Sequence, residues 1–221
     1  MEKLLLISGG LDSVIAYHVL NKPQTIFFNI GVPYNKKELQ FVNEYIPETI
    51  IDNSIKLKEE KNNYIPFRNI LLLTRAATYS DNLIISTVKE DIMPDNNKKI
   101  FDGLSKILSK VKGSKVTITS PFFDLTKVEI VKLFIKHKWD KETLNDTVSC
   151  YNANLKSSNY CGECLCCFKK WVAFTLNKID IPFHNLELMA EQAEKATHNK
   201  YIPEYNLQIL KAIKMQNKKK E

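Results

Sequence analysis

The stretch Lys3-Leu4-Leu5-Leu6-Ile7-Ser8-Gly9-Gly10-Leu11-Asp12-Ser13 decides how the chain is read. Lys3 to Ile7 is a short apolar run of the kind that forms a strand buried on both faces, and apolar residues at helical spacing resume from Ser13 to Leu20. The loop between them holds two glycines, so its backbone can turn tightly and approach a ligand closely. The helix start that follows offers unpaired N–H groups and the positive end of a dipole, which together suit an anion. Ser8 and Ser13 add hydroxyl donors. The plain alternative is an ordinary strand-to-helix turn, since Ser, Gly and Asp serve turns and caps everywhere.

Outward from this loop, strand and helix patterns alternate. Thr25 to Ile30, Thr49 to Ile51, Leu83 to Thr87 and Val116 to Thr119 read as further strands. Lys36 to Tyr45, Asn69 to Tyr79, Lys98 to Val111 and Thr126 to His137 carry apolar residues three and four apart and read as helices. This order predicts an α/β fold, a parallel five-stranded sheet with helices on both faces, over residues 1–140. Beyond it the strand signals stop. Helical patterns over Cys164 to Lys178, Leu186 to Ala196 and Tyr205 to Ile213 predict a small helical metal-binding lobe over residues 141–221, ending in a frayed Asn217-Lys218-Lys219-Lys220-Glu221.

With 221 residues, 44% hydrophobic and 26% charged, the chain has the composition of one folded domain with an appended lobe. No run is long enough for a signal-peptide core or a membrane span, so a cytoplasmic protein with no membrane partner is expected. The net charge of +7 comes from scattered lysines, without the aromatic and basic interleaving of an RNA module, and no direct nucleic-acid binding is expected. His18, His137, His184 and His198 fall at no ligand or triad spacing and receive no role.

All 5 cysteines lie between Cys150 and Cys167, and in a reducing compartment that points to metal rather than disulfides. Cys150, Cys161, Cys164 and Cys167 suit one tetrahedral zinc, closed and therefore structural, with an iron–sulfur cluster or reduced buried thiols as the alternatives. If a helix opens at Cys164, Cys167 returns to nearly the same face while Cys166 points about 160° away, which predicts core packing for Cys166.

Ser8 to Ser13 resembles the SGG-aliphatic-DS signature of the PP-loop ATP pyrophosphatases, and it lacks the lysine of a Walker A loop. The resemblance implies cleavage of ATP to AMP and pyrophosphate, with Ser8, Gly9, Gly10, Leu11, Asp12 and Ser13 around the phosphates. It also implies Asp12 on Mg²⁺, and Asn29 and Gly31 near the adenine. Within that class, Ser149-Cys150 followed by Cys161-Gly162-Glu163-Cys164 and Cys167 is similar to the zinc segment of the 7-cyano-7-deazaguanine (preQ0) synthase family, with Lys170 where that family usually has arginine. Ile65-Pro66-Phe67-Arg68-Asn69 resembles its VPGRN, Pro94-Asp95 its YPD, and Pro121 through Asp124-Leu125-Thr126-Lys127-Val128-Glu129-Ile130 its PLxxLTKxEI stretch. Thr147 also sits in register before Ser149.

This resemblance implies an ATP-dependent, C–N bond-forming enzyme that turns 7-carboxy-7-deazaguanine and ammonia into 7-cyano-7-deazaguanine through adenylated intermediates. Asp12, Arg68 and Lys127 are its catalytic candidates, and Phe67, Arg68, Asn69, Asp91 and Asp95 its substrate candidates. ATP, Mg²⁺ and Zn²⁺ are the implied cofactors. Arg68 and Asn69 also fit a plain helix start after Pro66. The departures gather at the implied pocket: Phe67 replaces a glycine, Gly31-Val32-Pro33-Tyr34 replaces GQRH, and Ile92-Met93-Pro94-Asp95-Asn96 is a shortened SGYPDC loop. They keep open an enzyme that stops at the amide, or one that transfers the activated deazaguanine to another amine in a phage-defence setting. A tRNA thiolase and an inactive zinc-stapled binding module are weaker rivals. A homodimer, or a protein partner for a defence paralogue, also stays open.

Overall fold

The computed structural model describes residues 2–60, 64–91, 93–152, 160–162, 164–180 and 202–217. The strands are β1 (Lys3–Leu6), β2 (Gln24–Phe28), β3 (Ile50–Asp52), β4 (Asn82–Ile84) and β5 (Thr117–Thr119). They pair in parallel in the order β3-β2-β1-β4-β5, with Leu5 of β1 level with Thr25 of β2 and Ile84 of β4. Parallel neighbours need crossovers, and the helices supply them: α1 (Leu11–Val19), α2 (Asn35–Tyr45), α3 (Arg68–Ala76) and α4 (Lys98–Lys112). After β5 come α5 (Lys127–Lys136), α6 (Lys141–Asp146), α7 (Leu165–Leu176) and α8 (Pro203–Asn217).

Alternation along β1 explains why both faces are covered. Leu5 and Ile7 point into one core with Val14 and Ile15 of α1, Phe41 of α2, Phe134 of α5 and Phe174 of α7. Leu4 and Leu6 point into the other with Leu73 of α3 and Phe101 of α4. A third cluster holds the C-terminal part together: Cys150, Tyr160, Cys167 and Trp171 pack with Tyr205 and Ile209 of α8. Because α7 packs on both α5 and α8, and its Phe174 belongs to the first core, the helical part is joined to the sheet through α7.

The predicted α/β fold is the observed one, and helix boundaries fall within a few residues of the expected ones. Two strands end early, since Ile30 beyond β2 and Ser86–Thr87 beyond β4 line a cavity instead of extending the sheet. The short α6 gave no periodic signal and is started by Asp140, whose Oδ1 accepts from Glu142 N at 2.9 Å. The expected helix over Leu186 to Ala196 and the terminal lysines lie outside the described residues, as do His184, His198 and Ile92. Among the described residues no helix is long and apolar enough to cross a membrane.

Candidate functional site

Strand order reverses between β1 and β4, and a crevice opens there beyond the carboxyl ends of the strands, where α/β sheets bind ligands. A cavity of about 360 Å³ occupies it, walled by the loop after β1, the ends of β2 and β4, and side chains from α2, α3, α5 and α7.

The loop reaches this cavity through Ser8, Gly10, Leu11, Asp12 and Ser13. Gly9 turns behind them with φ +69°, its carbonyl accepting from Val148 N at 2.9 Å. A Cβ on Gly9 would stand 3.1 Å from the Glu38 carbonyl oxygen and 3.2 Å from Phe41 Cδ1, so both conformation and space require glycine. Ser13 Oγ donates to Gly10 O at 3.0 Å and accepts from Ser8 N at 3.1 Å, which fixes the turn. Gly10 is the N-cap of α1 and no side chain caps it, leaving the helix start available to an anion.

Asp12 extends from the first turn of α1, and its Oδ2 accepts from Lys127 Nζ at 2.6 Å. Its Oδ1 is buried without a hydrogen-bond partner among the described residues, the condition of a carboxylate ready for a cation. Burial raises the Asp12 pKa, against the pull of Lys127. Lys127 is itself placed at the start of α5 by two devices. Thr126 and Glu129 close a capping box, and the wholly buried Glu90 accepts from Lys127 N at 2.9 Å. A second ion pair stands in the cavity, Lys169 Nζ to Asp91 Oδ1 at 2.8 Å. Burial opposes the Asp91 charge, but Lys169 and Lys127 outweigh it and hold the carboxyl below its usual range.

At the β2 end the walls are less charged. Asn35 Oδ1 accepts from Ile30 N at 2.9 Å and its Nδ2 donates to Glu38 Oε2 at 2.6 Å. Burial pushes Glu38 up to about 8, against hydrogen bonding from Asn35 and the Arg68 charge. Burial likewise raises the Tyr34 phenol to about 12. Tyr34 and Tyr151 meet with ring centroids 5.3 Å apart.

The structure sorts the sequence candidates. Arg68, Asn69 and Asp91 line the cavity with the loop residues. Asp95 stands one step back, its Oδ2 accepting from Asn69 N at 3.2 Å at the start of α3. Asn29 and Gly31 flank the cavity through Ile30 but are not among its walls; Asn29 Nδ2 donates instead to Asn53 Oδ1 at 2.8 Å. Phe67 departs most from expectation. Its ring is 66% exposed and outside the cavity, because residue 67 is the N-cap of α3 at φ +57°, a left-handed conformation that aims the side chain at solvent. The glycine of the related pattern therefore answers a backbone requirement rather than a space requirement.

The four candidate metal ligands converge. The Sγ atoms of Cys150, Cys161, Cys164 and Cys167 lie within 4.8 Å of one another, and Cys161 and Cys167 are 3.9 Å apart. A tetrahedral Zn²⁺ with bonds near 2.3 Å puts its sulfurs about 3.8 Å apart, so the spacing fits a single ion. Backbone amides already point at the sulfurs: Asn152 N and Cys161 N donate to Cys150 Sγ at 3.3 Å, and Cys164 N donates to Cys161 Sγ at 3.3 Å. Without a cation the thiols compete, since hydrogen bonds from Cys150 and Cys167 favour a Cys164 thiolate, which in turn helps hold Cys150 up at about 12.

Cys166 does point away from the metal ligands, but into the cavity beside Tyr151 rather than into the core, and burial keeps its thiol protonated up to about 11. Lys170 is wholly buried, donating to Thr147 O at 3.0 Å and Thr147 Oγ1 at 2.7 Å, and burial drives its pKa well down. Asn35, Glu38, Tyr151 and Lys169 are cavity residues that sequence reading missed, and Tyr34, named there only within the departure from GQRH, lines the cavity with them. For Lys169 a signal existed, because it follows Cys166 by one helical turn and shares its face.

The chain is similar to 7-cyano-7-deazaguanine synthases from Methanocaldococcus jannaschii (25% identity, 81% of this chain and 97% of that protein) and Methanococcus vannielii (27%, 79% and 94%). The synthase from Chlorobium phaeobacteroides is similar at 27% identity over 82% of this chain and 96% of its own length. The family model described as "Queuosine biosynthesis protein QueC" matches residues 20–178, which take in the Arg68, Asp91 and Lys127 walls and all four metal-ligand cysteines, and the chain belongs to that family.

Proposed function

We propose that this chain converts 7-carboxy-7-deazaguanine and ammonia to 7-cyano-7-deazaguanine with two ATP. The observation that carries the reading is the uncapped start of α1, with Asp12 in its first turn, opening into the same cavity as Arg68, Asn69 and Asp91. In the first half-reaction a substrate carboxylate oxygen bonds to the α-phosphorus of ATP and pyrophosphate leaves. Ammonia then displaces AMP from the acyl carbon with loss of a proton, giving the amide. In the second, the amide oxygen bonds to a fresh α-phosphorus, pyrophosphate leaves again, and departure of that oxygen on AMP with both N–H protons gives the nitrile.

The chain's part in this is positioning and electrostatics. Loop amides and the α1 dipole favour the leaving pyrophosphate, while Lys127 and Arg68 offset charge that builds on the phosphates. Phe28 and Ile30 offer the adenine an apolar wall at the β2 end. The buried, unpartnered Oδ1 of Asp12 fits Mg²⁺, which when bound would neutralise phosphate charge. The four cysteines fit a structural Zn²⁺, leaving no open ligand position for catalysis. Incubation with ATP, the carboxylic acid and ammonium, read by mass spectrometry, is expected to give nitrile, AMP and pyrophosphate. Amide or an amine adduct as the final product would move the reading to an amide-forming or transfer enzyme, and absence of pyrophosphate release would overturn it.

A further inference from the structure

Helix α7 carries metal ligand and cavity wall at once. Cys167 faces the other three thiols, while Cys166 and, one turn on, Lys169 face the cavity. Lys169 crosses to the segment after β4, where its Nζ lies 2.8 Å from Asp91 Oδ1, and the two side chains are only 14% and 22% exposed. Lys127 with Asp12 at 2.6 Å, also in the cavity, joins the starts of α5 and α1 and is assigned to phosphate chemistry in the proposed function. The Asp91–Lys169 pair is not used by that chemistry.

The pair presents one charged N–H donor and one carboxylate acceptor side by side. A primary amide is the complement of that arrangement, with its carbonyl oxygen and amino nitrogen about 2.3 Å apart from standard bond lengths. A carboxylate is not, because its second oxygen would face Asp91 as like charge against like. Resting on the function proposed above, the geometry points to Asp91 and Lys169 as the holder of the amide intermediate. Lys169 donates to the amide oxygen and Asp91 accepts from its nitrogen, keeping the molecule in place while AMP leaves and a second ATP enters. The pair thereby serves the second activation more than the first.

Two measurements test this. Binding to the wild-type protein in the presence of a non-hydrolysable ATP analogue is expected to be at least about tenfold tighter for 7-amido-7-deazaguanine than for the acid, the scale of one hydrogen bond to a charged group. Equal affinity, or tighter binding of the acid, would contradict it. In Lys169→Met, amide released per nitrile formed from the acid should rise at least about tenfold while the KM for ATP changes less than about threefold. A uniform loss of both half-reactions with a lowered Tm would mean that the pair only anchors α7. If the wild-type protein releases no pyrophosphate with the acid, the proposed function fails and this inference with it. Turnover with equal affinities or an unchanged product ratio sinks the inference alone.

Discussion

Two helix starts face the same cavity region and are finished in opposite ways. At α1 the N-cap is Gly10, which has no side chain to cap the first-turn amides. At α7 the N-cap is Cys164, whose Sγ accepts from Cys167 N at 3.5 Å and belongs to the four-thiol cluster. An open helix start is a place for an anion to bind, whereas one closed by metal ligands is an anchor. In the proposed function the α1 loop meets the ligand directly, and the knuckle acts through the helix at whose start it stands.

The sharpest way to break this contrast is to disable each side separately. Asp12→Asn should lower pyrophosphate release on the order of 10³-fold and cost far less in thermal unfolding than loss of the metal, because the isosteric amide keeps the largely buried side chain packed beside Lys127. Retained turnover in that variant would mean that the loop is not the reaction centre. Removing the metal should instead move stability and activity together. Purified protein is expected to carry one Zn²⁺ per chain, and since such sites are worth on the order of 10 kcal/mol, chelation should unfold the α7–α8 region and abolish turnover. Elemental analysis showing no zinc, or iron with sulfide, would contradict this.

These two regions were also the most legible in sequence, for a physical reason. Ser8 to Ser13 and Cys161 to Cys167 are nearly contiguous, so local geometry alone decides what they build. The sheet was legible from the apolar alternation that Leu4 to Ile7 carries onto two faces. What could not be read was the cavity's far wall. Glu38, Tyr151 and Lys169 line the cavity from α2, the segment after Cys150 and α7, and only the tertiary fold brings those elements to one cavity. Phe67 was counted among the substrate candidates on the related pattern alone, whereas the backbone at φ +57° is the feature that a glycine there would answer. Asn29 and Gly31 missed the cavity for a smaller reason, since the chain turns at the end of β2 and presents Ile30.

A subtler difference between the two regions is titration behind the loop. Glu38 has its pKa raised by burial from 4.5 to about 8, so the folded, ligand-free chain holds this proton where the unfolded chain has lost it. Its contribution is fully present below about 4.5 and is lost as the pH rises to about 8, at no more than about 1.4 kcal/mol per pH unit. Glu90, raised to about 7 by burial, adds the same sign over a narrower window. Chemical denaturation of Glu38→Gln between pH 5 and 8 should therefore show a shallower decline than wild type. Parallel declines would place Glu38 in water.

The smallest expected effect comes from a third helix start. At α3 the N-cap Phe67 is left-handed, no side chain caps from that position, and Asp95 accepts from Asn69 N instead. Phe67→Gly should relieve backbone strain and raise stability by about 0.5–1 kcal/mol, or roughly 1–4 °C in Tm, and leave product ratios unchanged. Phe67→Ala, which keeps the Cβ, should not stabilise. A shift of the amide-to-nitrile ratio in Phe67→Gly would return the ring to the substrate's surroundings.

In the proposed reaction, substrate oxygen leaves on the α-phosphorus of ATP held at the open start of α1. This is tested most directly with 7-carboxy-7-deazaguanine labelled with ¹⁸O in both carboxylate oxygens, ATP and ammonium. The expected products are nitrile without oxygen label, AMP carrying both labels, one per AMP formed, and unlabelled pyrophosphate. Label in inorganic phosphate with ADP as the nucleotide product, or label released to water, would contradict it.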